Sequence, residues 1–312
     1  MQGVTDAPMR ALQGATGAFT FAVSEFLRIS HAVPPRRVFL RHVPELLNGG
    51  CTPTGLPVQV QLLGGDPSRM ADAAGVAHEL GAAAIDINFG CPAPTVNRHD
   101  GGAALLRFPK RIRDIVGAIR RALPSTVPVS AKLRLGWDRL DSIYENSEMA
   151  AEGGAAWLTI HARTRLQGYA PPVYWAPIGR VRERLQIPVV ANGDIWSVEG
   201  FRRCREETGC RHFMLGRGAL VDPRLAGRIA AELGIAPQEG GGQTKQSIDW
   251  SAELQRLVDW TPRINEEIPE HTVYRLKQWL NLAATFGDFR HFDAIKRSRS
   301  VDELLAGLKD AA

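Results

Sequence analysis

The strongest constraint on this chain is a repeated alternation of short apolar runs with amphipathic segments. Strand candidates are FAVSE (21–25), VQVQLL (58–63), AIDINFG (84–90), VSAKLRLG (129–136), WLTIHAR (157–163), IPVVANG (187–193) and HFMLGRGA (212–219). Several are rich in β-branched residues and nearly continuous in hydrophobicity, as parallel strands covered on both faces must be. Between them lie segments with apolar residues at helical spacing, such as PSRMADAAGVAHELG and PKRIRDIVGAIRRALP. Seven such βα steps favour a (β/α)₈ TIM barrel over a shorter doubly wound sheet. An eighth strand has to precede residue 21. Since residues 8–17 read as helical, that first strand would end at about Met1, and the expectation is a barrel whose first strand is truncated and whose native start lies upstream.

The texture changes after Gly234. Residues 235–248 (IAPQEGGGQTKQSI) are polar and glycine-rich, which reads as a linker. Residues 249–312 show helical periods only, in DWSAELQRLVDW, HTVYRLKQWLNLAATF and SVDELLAGLKDA, which predicts a small helical bundle. The expected division is a barrel over 1–234, a linker over 235–248 and a helical domain over 249–312.

Charge is distributed unevenly. Residues 235–312 carry ten Lys+Arg against twelve Asp+Glu, or −2, while residues 1–234 carry 28 against 21, or +7. The basic excess lies in the barrel, which is compatible with a polyanion partner. The four cysteines, Cys51, Cys91, Cys204 and Cys210, form no CxxC pair, so neither a metal site nor a disulfide framework is expected. No apolar run reaches the roughly eighteen residues of a membrane span, and the N-terminus has no signal-peptide pattern. A reduced, cytoplasmic, monomeric protein is the simplest expectation.

In a parallel barrel the working face is the C-terminal end of the strands. Polar residues interrupt nearly every one of those ends: Gln61, Asn88 with Cys91, Lys132 with Arg134, His161 with Arg163, Asn192-Gly193-Asp194 and Gly216-Arg217. Any one alone would be a satisfied core group or a cap; the full set points to convergence on one pocket. In ANGDIWS and LGRGAL a glycine stands at a strand end before a helix, an arrangement that lets backbone N–H groups approach a phosphate. Cys91 sits between Gly90 and Pro92 on a sharp exit followed by a long polar loop. With no His/Asn arrangement for a cysteine nucleophile, its thiol is expected to do acid–base work, and the loop through Gly101 and Gly102 is expected to move.

These pieces, MQGVTDAPMR, SEFLRIS, VQVQLLGGDP, DINFGCPAPTVNRHDGGAALL, SAKLRLGWD, TIHARTRLQGY, PVVANGDIW and MLGRGAL, resemble the flavin-dependent tRNA-dihydrouridine synthases along most of the chain. The resemblance implies a TIM barrel binding FMN, a helical tRNA-binding domain, and reduction of a uracil C5=C6 bond in tRNA with NADPH as reductant. It implies Cys91 as the general acid at C5. Met1, Gln2, Gln61, Lys132 and His161 would contact the flavin, with Asn192, Gly193, Asp194, Gly216 and Arg217 at its phosphate end. Asn88 and Arg134 would face the uridine. SEFLRIS, KLRLGWD, ANGDIW and YRLKQW together are most similar to the bacterial branch acting at tRNA position 16, which would make Arg28, Arg275, Lys277 and Lys296 RNA-orienting residues. Two rival readings share parts of this pattern: an FMN barrel acting on a free pyrimidine, as dihydroorotate dehydrogenases do, leaves the helical tail unexplained, and a non-catalytic tRNA-binding module leaves Cys91 and Lys132 unexplained. A phosphate-binding lyase would need Lys132 as a Schiff-base amine in an apolar pocket.

Overall fold

The computed structural model describes residues 3–235, 248–262, 264 and 269–311. Eight strands, β1 (Ala22–Val23), β2 (Leu27–Arg28), β3 (Val58–Leu63), β4 (Ile85–Asn88), β5 (Val129–Arg134), β6 (Trp157–His161), β7 (Val189–Asn192) and β8 (His212–Met214), form one all-parallel sheet. Its order is β1-β3-β4-β5-β6-β7-β8, with β2 also on β3. Ala22 pairs with Val58 and Leu27 with Leu62, so one strand advances five residues while its partner advances four. β1 and β2 are therefore two halves of a single edge strand with one extra residue between them, as in a bulge. Seven strand positions result, matching the seven predicted runs. Among the described residues the sheet ends at β1 on one side and β8 on the other.

The runs are not uniformly apolar, and the alternation decides what faces inward. In β3, β4, β5 and β6 the residues Val58, Val60, Leu62, Ile85, Ile87, Val129, Ala131, Leu133, Leu158 and Ile160 join the core formed with Met70, Ala73, Ile112 and Ile115 of the surrounding helices. Because successive side chains point to opposite faces, the intervening Gln59, Gln61, Asp86, Asn88, Ser130, Lys132, Arg134, Thr159 and His161 line the inner side of the curled sheet. This polar inner face is what positions the site.

The helices that cover the sheet follow the pattern read from sequence. Pro67–Glu79 begins with Pro at its first turn and an Asp66 side chain that accepts from the Arg69 N–H; Pro109–Ala122 buries Ile112, Ile115, Val116 and Ile119 along one stripe. The segment GRGA, expected to prolong the last strand, instead turns at Gly216 into the short helix Arg217–Val221.

The C-terminal helices Trp250–Trp260, Pro269–Phe286, Phe292–Ile295 and Val301–Ala311 form the expected bundle. The linker at 235–248 lies outside the described residues except for its two ends. The bundle is not a separate core: Leu254, Leu257, Leu276, Trp279, Leu280 and Ala283 pack with Val4, Met9 and Leu12 and with Leu220 of the barrel. Trp279 Nε1 donates to the Leu220 carbonyl at 2.7 Å. Arg275, expected to orient RNA, has partners within the protein. It is only 7% exposed, and its guanidinium donates to Asp6 Oδ2 at 2.6 Å and to Thr261 Oγ1 at 2.5 Å. A buried guanidinium needs a carboxylate more than it can wait for a phosphate, so Arg275 ties the bundle to the start of the barrel.

A shared core predicts shared unfolding. Trp279→Ala should destabilise the protein by about 3–5 kcal/mol in one cooperative denaturant transition followed by both fluorescence and circular dichroism. A separate transition of the bundle that left the barrel midpoint unmoved would contradict this packing.

Candidate active site

Three register rows of the inner face carry the polar residues toward the C-terminal ends of the strands. Gln61, Asp86 and Ser130 stand in one row, Asn88, Lys132 and Thr159 in the next, and Arg134, His161 and Asn192 in the last. Adjacent strands in register place these side chains within reach of one another.

The first row holds a residue that sequence reasoning passed over. Asp86 is buried; its Oδ1 accepts from Ser130 Oγ at 2.6 Å and its Oδ2 from Gln61 Nε2 at 2.7 Å. Burial pushes its carboxyl up from 3.8 to about 6, against the pull of those two hydrogen bonds and of the Lys132 charge. The relay continues outward. Asn88 Nδ2 donates to Gln61 Oε1 at 2.8 Å, and Asn88 Oδ1 accepts the backbone N–H groups of Gly90 and Cys91, each at 2.9 Å. A carboxylate can only accept and a backbone N–H can only donate, so the two ends fix both intervening amides in one orientation. Asn88, expected to face a uridine, thus has its oxygen and one N–H engaged in aiming the turn that carries Cys91.

Cys91 is held on its other side as well. Its carbonyl accepts from Asn97 Nδ2 at 2.9 Å and from the Ala103 N–H at 3.0 Å, and Asn97 Nδ2 also reaches the Gly101 carbonyl. Gly102 has φ +59°, and a Cβ there would lie 2.9 Å from the Cys91 carbonyl oxygen and 3.0 Å from its Cβ. The loop expected to open at Gly101 and Gly102 is therefore braced. The thiol is half-buried and has no hydrogen-bond partner among the described residues.

Arg134, expected to face the base, is 3% exposed and donates to three carbonyls: Gly90 at 2.7 Å, Thr164 at 3.1 Å and Gly168 at 2.8 Å. It locks the β4 exit to the loop after β6 and does not reach freely into the pocket. Lys132 Nζ donates to Asn192 Oδ1 at 3.2 Å, and Asn192 Nδ2 donates to the Met214 carbonyl at 2.8 Å. Burial, reinforced by Arg134, lowers the Lys132 ammonium to about 8, although Asp86 pulls it back up. His161 is driven well below its usual 6.5 by burial and by the Lys132, Arg134, Arg163 and Arg217 charges, so its ring is neutral near pH 7. Its Nδ1 is buried without a hydrogen-bond partner among the described residues.

At the far side, Asp194 is shared by two arginines. Arg163 grips both of its oxygens, at 2.9 Å to Oδ1 through Nη1 and through a shorter Nη2 contact to Oδ2; Arg217 Nη2 reaches Oδ1 at 3.2 Å. Burial opposes its charge, but the two guanidiniums hold the Asp194 carboxyl below the usual range. Arg217 also lies over the rings of Tyr169, Trp196 and Phe286, at 4.8, 5.0 and 4.6 Å from their centroids. Tyr169, which is 57% exposed at the mouth and stands edge-on to His161, was not foreseen; an isolated loop tyrosine carries no sequence signal. Gly193 has φ +123°, and a Cβ would fall 3.2 Å from Ala162. The helix after this loop starts only at Val198 and is capped by Ser197, whose Oγ accepts from Gly200 N–H, so its N-terminus is not presented by Gly193. Gly216 does directly precede the helix Arg217–Val221.

Among the remaining expected residues, Arg28 is exposed and donates to the Thr95 carbonyl of the Cys91 loop at 3.3 Å. Lys277 is half-buried, and Lys296 is paired with Asp293 at 2.5 Å. Met1 and Gln2 lie outside the described residues.

Comparison with known proteins matches residues 1–251 to the family described as "Dihydrouridine synthase (Dus)". The chain is 44% identical over 282 residues to a protein of Shewanella oneidensis named tRNA-dihydrouridine(16) synthase, covering 90% of this chain and 86% of that one. It is 42% identical over 284 residues to a protein of the same name from Pseudomonas syringae pv. tomato, covering 90% and 87%. A third, from Neisseria meningitidis serogroup A, is 42% identical over 311 residues, covering 97% and 90%.

The relay makes a stability prediction. Asp86→Ala leaves the Ser130 hydroxyl and the Gln61 amide unpaired and should cost about 2 kcal/mol in denaturant unfolding. Asp86→Asn should cost less, because its amide oxygen can accept from Gln61 while its Nδ2 donates to Ser130. Equal losses for both would contradict the assigned orientation of the chain.

Proposed function

The chain belongs to the dihydrouridine synthase family, and on that premise we propose that it reduces the C5=C6 bond of uridine 16 in tRNA to 5,6-dihydrouridine, using NADPH through FMN. The observation that carries this reading is the likeness to tRNA-dihydrouridine(16) synthases over most of the chain, joined to a polar strand-end ring that includes a braced cysteine. The same likeness, to enzymes named for tRNA, disfavours the free-pyrimidine and non-catalytic readings.

The residues present fit a flavin. His161 Nδ1 is a buried polar atom awaiting a partner, and Lys132 uses one of three N–H groups within the protein. Gln61, Lys132, His161 and Asn192 would hold the ring system; Gly193, Gly216 and Arg217 would hold the phosphate end, with Asp194 keeping Arg217 in place. A bound FMN, once reduced by NADPH, supplies the hydride that adds to C6. Lys132 would place positive charge near the N1/O2 edge of the ring, where reduction builds up electron density. His161, held neutral, adds a hydrogen-bonding group there without adding a further charge to Lys132, Arg163 and Arg217. Cys91 would give its proton to C5, and the Asn88 relay fixes where that proton is delivered. The target base must leave its stack, at a cost of a few kcal/mol that is smaller in a loop than in a duplex. Arg28, beside the Cys91 loop, and Lys277 and Lys296, on the helical tail, are the expected RNA contacts.

Two outcomes follow. Purified protein with NADPH should convert uridine 16, mapped by mass spectrometry of tRNA fragments, and cells lacking the gene should lose dihydrouridine at that position alone; conversion of free uridine without conversion of tRNA would contradict the assignment. FMN affinity of the apoprotein, followed by fluorescence quenching, should hold between pH 7 and the Lys132 value of about 8 and weaken above it. The sign follows from linkage: binding favours the charged ammonium, so affinity falls as that proton is lost. Lys132→Met should bind FMN more weakly and without this dependence, and a decline that persists in the variant would assign it to another group.

A further inference from the structure

Three successive loops at the mouth, after β4, β5 and β6, bring an unusual group together. The guanidinium of Arg107 lies 4.4 Å, and that of Arg165 4.5 Å, from the centroid of the Trp137 ring. The loops are joined by backbone bonds: Arg165 N–H donates to the Gly136 carbonyl at 2.8 Å and Leu166 N–H to the Trp137 carbonyl at 2.9 Å. Arg107 also approaches the Phe108 ring at 5.5 Å, and Phe108 and Leu166 are 47% and 62% exposed. Arg98 is exposed on the Cys91 loop.

The charge balance of this group differs from that of Arg163, Arg217 and Arg275. Arg163 and Arg217 share Asp194, and Arg275 has Asp6. Arg98, Arg107 and Arg165 have no carboxylate within ion-pair distance among the described residues. Two like charges held over one indole repel each other, and an anion lying between them would relieve that repulsion. Flat cations on an aromatic ring, with further apolar surface beside them, suit a strand that offers both phosphates and unstacked bases.

We propose that Arg107, Trp137 and Arg165 form a second RNA-gripping surface, which holds the tRNA strand beside the reduced uridine on the side of the mouth away from the helical tail. This rests on the tRNA reading above and extends it to particular residues. The tail packs at the two ends of the sheet order, through Asp6 before β1 and Leu220 after β8, whereas these loops belong to the middle strands. A nucleotide extruded between two grips is held on both flanks. The surface is also continuous with the acid. Arg165 Nε donates to Asn97 Oδ1 at 3.0 Å, and Asn97 holds the Cys91 carbonyl.

The test is tRNA affinity as a function of salt, with flavin content and NADPH-dependent flavin reduction measured on the same holoenzyme preparations. The double variant Arg107→Ala/Arg165→Ala should bind tRNA about tenfold more weakly, and its log–log salt slope should be shallower by roughly 1.4, or about 0.7 per lost contact to a single strand. Flavin content and flavin reduction should not change. Arg107→Lys/Arg165→Lys should regain the slope, which a packing role alone would not produce. As an independent readout, bound tRNA should protect Arg107 and Arg165 from phenylglyoxal in peptide mapping of the unmutated protein. Unchanged affinity and slope in the Ala pair, or equal modification with and without tRNA, overturns this surface while the function stands if the unmutated protein reduces tRNA. An unmutated protein that neither binds nor reduces tRNA overturns the functional reading and this surface together.

Discussion

A buried carboxylate, compensated by the N–H and O–H groups around it and by the nearby Lys132 charge, organises the mouth of this barrel. Asp86 takes one hydrogen bond from Ser130 and one from Gln61, and that second bond leaves the Gln61 oxygen free to face Asn88. Asn88 in turn presents its oxygen to two backbone amides at the turn that carries Cys91. Each amide in the series has one orientation that satisfies both neighbours. Reversing any one would set donor against donor in a dry interior, a penalty of about 1–3 kcal/mol for each unpaired group. The geometry of the Cys91 turn is thereby set by a side chain five residues earlier in the chain.

The rest of the pocket manages an excess of positive charge. Lys132, Arg134, Arg163 and Arg217 converge on it, and each is accommodated differently. Arg134 is tied to three carbonyls, Arg163 and Arg217 divide Asp194, and Lys132 has its basicity reduced. His161 stays neutral because it is buried and because of this company. A pocket with this balance favours an electron-rich, phosphate-bearing guest, which is the description of a flavin mononucleotide. The helical bundle is fastened to the same region, since Phe286 stacks on Trp196 at 5.3 Å and both rings contact Arg217. On the proposed function, the cofactor's phosphate end and the tail would share one anchor, Arg217.

Much of this was legible in the sequence. The seven strands fall where β-branched runs predicted them, because strand burial on both faces leaves a composition that helices do not imitate. The residues at the strand ends were also legible, because a polar side chain at that position is conspicuous in an apolar run. Asp86 was not: it lies one alternation deeper, and nothing in DINFG says that its carboxylate is the origin of a relay. What holds Arg275 was hidden for the opposite reason. Its partner, Asp6, lies 269 residues away, so the local sequence shows a cation on a helix and hides the carboxylate that claims it. The carbonyl partners of Arg134 were hidden because a buried guanidinium bonded to carbonyls looks, in sequence, like one with no partners in the protein. The Arg107–Trp137–Arg165 group is assembled from three loops and has no local signature at all.

The central claim is that Cys91, aimed by the Asn88 turn, delivers the proton to C5. The most direct measurement is rapid mixing of the reduced holoenzyme with tRNA, following flavin reoxidation by absorbance in unmutated protein and in Cys91→Ala. The account predicts that the variant keeps its flavin and is reduced by NADPH at the unmutated rate, while tRNA-dependent reoxidation slows by about 100-fold or more, the scale expected when a general acid is removed. Reoxidation by tRNA at an unchanged rate in Cys91→Ala would contradict it.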